Sequence, residues 1–270
     1  MPEWRVYGCG SASSSHYCQT SYEFVDGERR VQIDFGNGAL YQRCRREGSI
    51  EAAMDAIEHI FMSHSHPDHT IDLTRYVVAW KFTPGYDPKQ PIHLHGSLPT
   101  LDNIYRLLES VGFAFLFDEI FETHEMNENE ADAIAGIEAT PFPVQHMEGS
   151  LGLNLKSPDG IRVAYIGDTS PFEALSSYLG EIDLLVLEAS FFDYEHPMHL
   201  NIHQVGELAA QTQPRALLLV HPYPEMERAP NETIEQTLAA YFEGQVFCAQ
   251  DGMALQWDGQ AGAWRSTQMF

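Results

Sequence analysis

The chain has 270 residues, 44% hydrophobic and 20% charged, enough apolar material for a sizeable core and too little polarity for a disordered chain. Its 15 basic residues stand against 39 acidic ones, a formal net charge of −24. A field of that sign repels a polyanion such as RNA unless a local basic patch intervenes, and suits a small substrate or an acid-rich host better.

Trp4 to Gly8 alternates like a strand and runs into the small-residue turn Gly8-Cys9-Gly10-Ser11. The N-terminus shows no signal-peptide pattern and no apolar run approaches a bilayer span, so a cytoplasmic protein with no membrane partner is expected. Cys9, Cys18, Cys44 and Cys248 form no Cys-x-x-Cys pair and read as free thiols, and nothing further supports a Cys9/Cys18/Cys44 metal site. Tyr22 to Val25 and Arg30 to Asp34 read as a hairpin around Asp26-Gly27. The basic cluster Arg43-Cys44-Arg45-Arg46 reads as a solvated loop, and Ser49 as the N-cap of a helix to Ala56. His59 to Met62 is a short buried strand, and Thr70 to Trp80 carries apolar residues at helical spacing. A strand over Pro91 to His95 and a helix over Leu98 to Ser110 follow.

Phe113 to Asn129 is aromatic and then acidic, and is expected to cover a site entrance like a lid. Strands are predicted over Ile134 to Phe142, Leu151 to Leu155, Ile161 to Ile166, Ile182 to Glu188 and Ala216 to Val220, with a final strand pair over Gln245 to Trp257. Helices are predicted over Pro171 to Tyr178, Ile202 to Gln211 and Glu232 to Phe242. No repeat or low-complexity linker divides residues 1–270, so one domain is the economical organisation.

Ser63-His64-Ser65-His66-Pro67-Asp68-His69 joins the short strand to the helix behind it. On an extended segment residues two apart point the same way, so His64 and His66 can close on one ion. The turn into the helix aims Asp68 and His69 at a second point nearby. Imidazole nitrogen and carboxylate oxygen suit zinc, manganese or iron. A polar surface loop is the plainer account, but three histidines and an aspartate so closely spaced are hard to explain as packing.

This segment resembles the dinuclear metal motif of the metallo-β-lactamase superfamily. The resemblance implies an α/β (α+β) fold, an αββα sandwich of two mixed sheets flanked by helices, with the site at the sheet edge. It also extends downstream. His146 after Val144-Gln145, Asp168 in Gly167-Asp168-Thr169 and His221 after Leu219-Val220 match the family's remaining ligand positions. Taken alone, His146 would more often be structural, and Asp168 could cap a helix starting near Pro171. Carried over residue by residue, one ion takes His64, His66 and His146, and the other Asp68, His69 and His221. Asp168 spans both, together with a water or hydroxide. Two divalent metal ions are implied, zinc first, with manganese or iron as alternatives.

Two further stretches resemble RNase Z-type enzymes: Leu187-Glu188-Ala189-Ser190 their His-Glu-Ala-Thr segment, and His199-Leu200-Asn201 their His-x-Thr segment. In that branch the glutamate orients a histidine that assists at the scissile phosphate, roles assigned here to Glu188 and His199. His196 and His203 compete for the second role; His16, His59, His93, His95 and His124 read as structural or surface residues. The chain departs from the family at Asp72, where glycine is usual, and at Asn201, where serine or threonine is usual. It also lacks the long Gly/Pro-rich arm that RNase Z enzymes carry between the third histidine and the bridging aspartate, which with the acidic charge disfavours nucleic acid as partner. The expectation is a phosphodiesterase for small cyclic or nucleotide-like diesters, with a metal-bound hydroxide that Asp68 positions and His199 assisting alkoxide departure. A carboxylic ester, lactone or β-lactam hydrolase is the alternative, and a tRNA 3′-processing endonuclease or a binding protein without turnover comes behind it. A homodimer is what the RNase Z resemblance suggests.

Overall fold

The computed structural model describes residues 1–88 and 90–270. β1 (Pro2–Gly8), β2 (Ser21–Asp26) and β3 (Arg29–Ile33) form an antiparallel run, to which β4 (His59–Phe61), β5 (Ile92–Gly96) and β6 (Phe121–Glu125) add in parallel. β7 (Asp132–Ile134), β8 (Ile137–Pro143), β9 (Leu151–Lys156) and β10 (Arg162–Tyr165) make an antiparallel meander. β11 (Leu184–Glu188), β12 (Ala216–Val220) and β13 (Gln245–Cys248) extend that meander in parallel. β14 (Met253–Asp258) and β15 (Ala263–Gln268) return to the first sheet, where β14 pairs with β1. The result is an eight-stranded sheet, β15-β14-β1-β2-β3-β4-β5-β6, and a seven-stranded one, β13-β12-β11-β10-β9-β8-β7.

Strand alternation explains how the sheets stack. On β11, Leu184 and Val186 face the core between the sheets, while Leu185 and Leu187 face the helices behind. A strand covered on both faces reads as the unbroken apolar run Leu184-Leu185-Val186-Leu187. Phe61, Val31 and Phe24 bring the first sheet into the same inner core, and Ile60, Met62 and Leu94 back onto the helices Asp72–Phe82 and Leu98–Ser110. The helices Ile202–Thr212 and Asn231–Leu238 cover the second sheet. The architecture is the expected αββα sandwich.

Several expectations are corrected. Arg43 does not lie in a solvated loop: it sits on the helix Ala39–Glu47 and is fully buried. Its guanidinium donates to Glu23 Oε1 at 3.0 Å and lies 4.5 Å from the centre of the Tyr7 ring. Phe113 to Asn129 is not a lid, because Leu116, Phe117, Ile120 and Phe121 bury into the helix-side core and Phe121–Glu125 becomes the edge strand β6. Ile134 to Phe142 breaks into β7 and β8 at Ala135-Gly136, both with positive φ. Pro171 to Tyr178 forms only a single 3₁₀ turn, Leu175–Tyr178. The strands of Gln245 to Trp257 belong to different sheets and do not pair, and the true partner of β14 is β15, which the sequence reading missed.

Candidate metal centre

The site assembles where strands of both sheets end on the same side of the sandwich. Asp34 follows β3, His64 follows β4, His146 follows β8, Asp168 follows β10, Glu188 closes β11 and His221 follows β12. Two of these positions are conformationally forced. Asp34 and His221 hold φ at 52° and 58°, in the left-handed region that non-glycine residues avoid. At His221 the amide is pinned to the Cys9 carbonyl at 2.7 Å and Pro222 follows. Gly167, before Asp168, has φ +70°, so its role is to supply a turn only glycine makes cheaply, more than to permit close approach.

The donor atoms converge in two groups. In one, His66 Nδ1 is 3.2 Å from His64 Nε2 and 2.9 Å from His146 Nε2, while Asp168 Oδ2 is 3.9 Å from His64 Nε2 and 3.7 Å from His146 Nε2. In the other, His221 Nε2 is 3.1 Å from Asp68 Oδ2, and Asp168 Oδ1 is 3.5 Å from His69 Nε2. Around one tetrahedral ion with bonds of about 2.0–2.1 Å, ligand atoms lie about 3.3 Å apart, which both groups approximate. Asp168 reaches both groups: its Oδ1 faces His69, and its Oδ2 faces His64 and His146 and lies 3.4 Å from His221 Nε2.

The remaining nitrogens of the rings are held from outside. His64 Nδ1 is 3.0 Å from Ser63 Oγ, His69 Nδ1 2.8 Å from Asp34 Oδ2, His146 Nδ1 3.2 Å from the Met198 carbonyl and His221 Nδ1 3.1 Å from Ser190 Oγ. Such outer contacts fix tautomer and ring orientation in metal sites. His69 Nε2, by contrast, is buried with no hydrogen-bond partner, which a bound cation would relieve. Burial depresses the proton affinity of His64 and takes His146 down to about 4, keeping both neutral and able to donate a lone pair. Burial pushes Asp68 up, but the hydrogen bond from His221 together with the charges of His69 and His221 outweighs it and holds the carboxyl below its ordinary range. The donor set therefore fits divalent cations.

Beside this centre, His199 Nδ1 is 2.9 Å from Glu188 Oε2 and 3.9 Å from Asp168 Oδ2. Glu188 is fully buried and also accepts the Thr169 amide at 2.7 Å and the Ser190 hydroxyl. Burial works against protonation of His199, but the Glu188 carboxylate outweighs it and raises the imidazole above its ordinary value. Of the competitors, His196 lies beside His199 with ring centres 5.0 Å apart, while His203 points away from the centre. His203 faces Asp193 and Tyr241, and His196 stacks on Phe191.

The sequence reading missed Asp34, although an aspartate closing a strand before Gly36 and Gly38 is the kind of signal that marks Asp168. Both departures from the family pattern find work: Asp72 Oδ2 accepts the Leu40 amide at the start of the helix Ala39–Glu47, and Asn201 caps the helix Ile202–Thr212 in a capping box with Gln204. Asp168 caps no helix. The Cys9 and Cys18 amides both donate to the Asp251 carboxylate, and all four cysteines are free.

Fold and site together define a metal-dependent hydrolase. The family described as Beta-lactamase superfamily domain matches residues 29–222, and the chain belongs to it. That fold implies divalent metal ions. An uncharacterized protein of Mycobacterium tuberculosis, Rv1339, is 30% identical over 219 residues, covering 79% of this chain and 76% of that protein. A ribonuclease Z of Haloferax volcanii is 22% identical, with 86% of each chain covered. Among solved structures, the metallo-β-lactamase-fold protein YhfI of Bacillus subtilis superposes with a TM-score of 0.77 at 17% identity, covering 94% of this chain and 98% of that one. A diphosphatase from the PhnP family gives 0.73 at 21% identity, covering 96% and 98%. Yeast PDE1 gives 0.73 at 11% identity, covering 94% and 98%. Between His146 and Asp168 this chain forms only β9, β10 and the turn at Pro158-Asp159. Among the described residues no helix is long and apolar enough to cross a membrane.

Proposed function

We infer that the protein hydrolyses small phosphodiesters, cyclic or nucleotide-like, with two divalent ions, zinc before manganese or iron. His64, His66 and His146 would hold one ion and Asp68, His69 and His221 the other, with Asp168 shared. When bound, such a pair lowers the pKa of a water and stabilises charge on attacking and leaving oxygens.

The rest of the work falls to side chains. Asp68 Oδ2, fixed by the Ala12 amide at 2.9 Å, is a carboxylate placed to orient the attacking water. With His199 Nδ1 engaged by Glu188, Nε2 is the nitrogen that carries a proton to the departing alkoxide. Glu188 touches no substrate and acts through His199 as a positioning residue. This buried Glu188–His199 pair at 2.9 Å is the observation that carries the reading, since it supplies an acid held ready beside the centre. Phe191 and Tyr223 lie against His199, with ring centres 6.4 Å and 5.4 Å away, and Tyr194 is exposed next to Phe191, a surface suited to a nucleoside-like substituent. The yeast phosphodiesterase PDE1 and the PhnP-family diphosphatase share the fold, which supports phosphorus chemistry. The net charge of −24 and the short His146–Asp168 connection argue for small substrates over tRNA.

The test is turnover of bis(p-nitrophenyl) phosphate against a simple lactone and nitrocefin, with metal content measured on the same sample. Preferential diester hydrolysis is expected. Lactone or nitrocefin turnover without diesterase activity would move the protein to carbonyl chemistry.

A further inference from the structure

The first sheet ends at β4, β5 and β6, and on these strands the residues sharing the parity of Phe61 point between the sheets. Toward the free edge that inner face carries imidazoles where a core would carry aliphatics. His59 stands opposite His93, and His93 opposite Glu122; Phe61 stands opposite His95, and His95 opposite His124. The rings pack on one another, His59 on His93 with centres 4.7 Å apart and His95 on His124 at 4.6 Å. His59 Nδ1 lies 3.2 Å from His95 Nε2, and His93 Nδ1 2.9 Å from His124 Nε2. Sequence reading treated all four as structural or surface residues, yet His93-x-His95 on a strand already places two imidazoles on one face.

Four clustered imidazoles are a poor core. A neutral ring has one donor and one acceptor, and His95, only 4% exposed, keeps its Nδ1 buried with no partner. Burial and the neighbouring rings depress the proton affinity of His59 and take His95 down to about 3, so both stay neutral. At the rim, Glu122 Oε2 comes within 3.7 Å of His93 Nδ1 and its Oε1 within 3.6 Å of His124 Nε2, so the carboxylate presents one oxygen to each ring. Those two separations and the 2.9 Å between the nitrogens bracket the spacing of about 3.3 Å between ligands on a tetrahedral ion with bonds near 2.0–2.1 Å.

We propose that His93 Nδ1, His124 Nε2 and the Glu122 carboxylate bind one divalent transition-metal ion of the zinc, copper or nickel type, at a site separate from the hydrolytic centre. The two nitrogens and one oxygen leave a fourth position to solvent, and the nitrogen donors select against magnesium and calcium. His59 and His95 wall the site from the core side, and Glu58 and His59 also converge on His93. Because His93 lies on β5 and both other ligands on β6, the ion staples the edge strand to its neighbour. It would hold in place an edge strand that is otherwise free to fray on one side. The proposal is independent of which ester the hydrolytic centre cleaves.

The full-length protein would be titrated with zinc, and ions bound per chain counted for wild type and for the double variant H93Q/H124Q. One ion fewer in the variant, with turnover at the hydrolytic centre kept, is the expected result; equal zinc content would overturn the proposal. If the double variant does not fold, anomalous diffraction at the zinc edge from zinc-loaded wild-type crystals decides. A peak between the His93 and His124 rings supports the site, and peaks confined to the His64–Asp168–His221 centre reject it.

Discussion

Asp34 Oδ2 lies 2.8 Å from His69 Nδ1, and the same carboxylate accepts the Ser63 amide, the Ser63 hydroxyl and the Tyr165 hydroxyl. One buried side chain thus fixes the ring of His69, the loop that starts the His64–His69 motif and a residue of β10 on the facing sheet. Removing it as Asp34→Ala frees the His69 tautomer and leaves four donors without their acceptor. Metal affinity, measured by competition with a chromogenic chelator, is expected to fall about 10- to 100-fold. Unchanged affinity would show that His69 needs no orienting carboxylate.

Glu188 acts on catalysis only through His199. Glu188→Gln keeps the volume and one oxygen acceptor but removes the charge that raises the proton affinity of His199. With a cyclic nucleotide or an alkyl diester, the account predicts a fall in kcat of about 10²- to 10⁴-fold with KM little changed and metal content intact. Loss of bound metal in parallel with activity would instead assign Glu188 to building the centre.

Gly36 sets how closely the end of β3 approaches the metal loop. A Cβ there would sit 2.1 Å from the Asp68 carbonyl oxygen, a backbone atom that cannot step aside without moving the motif. Gly36→Ala is expected to destabilise the fold by about 1–3 kcal/mol and to weaken metal binding together with it. Chemical denaturation and chelator competition on one preparation check both; a variant as stable as wild type and binding metal equally well would contradict the packing argument.

Glu23 gives a pH dependence far from the metals. Burial pushes its carboxyl up, but Arg43 at 3.0 Å and Arg5 at 2.7 Å outweigh burial and hold it below its ordinary 4.5. A carboxyl depressed in the folded state contributes stability that is full above the unfolded value and is lost as pH falls through the folded one. Glu23→Gln, which leaves Arg43 buried without a counter-charge, should cost about 3–5 kcal/mol at pH 7. The gap to wild type in urea unfolding should then narrow as pH falls below 4.5. A gap that stays constant with pH would refute the assignment.

What the sequence made legible follows from how local each signal is. Strand parity and turn chemistry brought His64, His66, Asp68 and His69 together on paper, and the family resemblance pointed to the three distant positions His146, Asp168 and His221, the last two at the ends of apolar runs. Helix Leu98–Ser110 was readable because Ser97, Pro99 and an apolar stripe agree. Helix Ala39–Glu47 was not, because its buried face includes Arg43, whose partner Glu23 lies on another strand. Asp34 escaped for the same reason: its four donors come from two stretches distant from it, Ser63 to His69 and Tyr165. The strand β6 hid inside an aromatic and acidic segment because its inner face is occupied by His124 and Glu122 rather than by aliphatic residues.

The most direct test of the central claim compares leaving groups in His199→Ala, with metal content measured throughout. A p-nitrophenolate departs without a proton, whereas a ribose or methyl alkoxide needs one. The account predicts that the variant keeps most activity on bis(p-nitrophenyl) phosphate and loses about 10²-fold or more on a cyclic nucleotide or an alkyl diester, with both metals retained. An equal loss on both substrates, or none on either, would contradict proton delivery by His199 to a departing alkoxide.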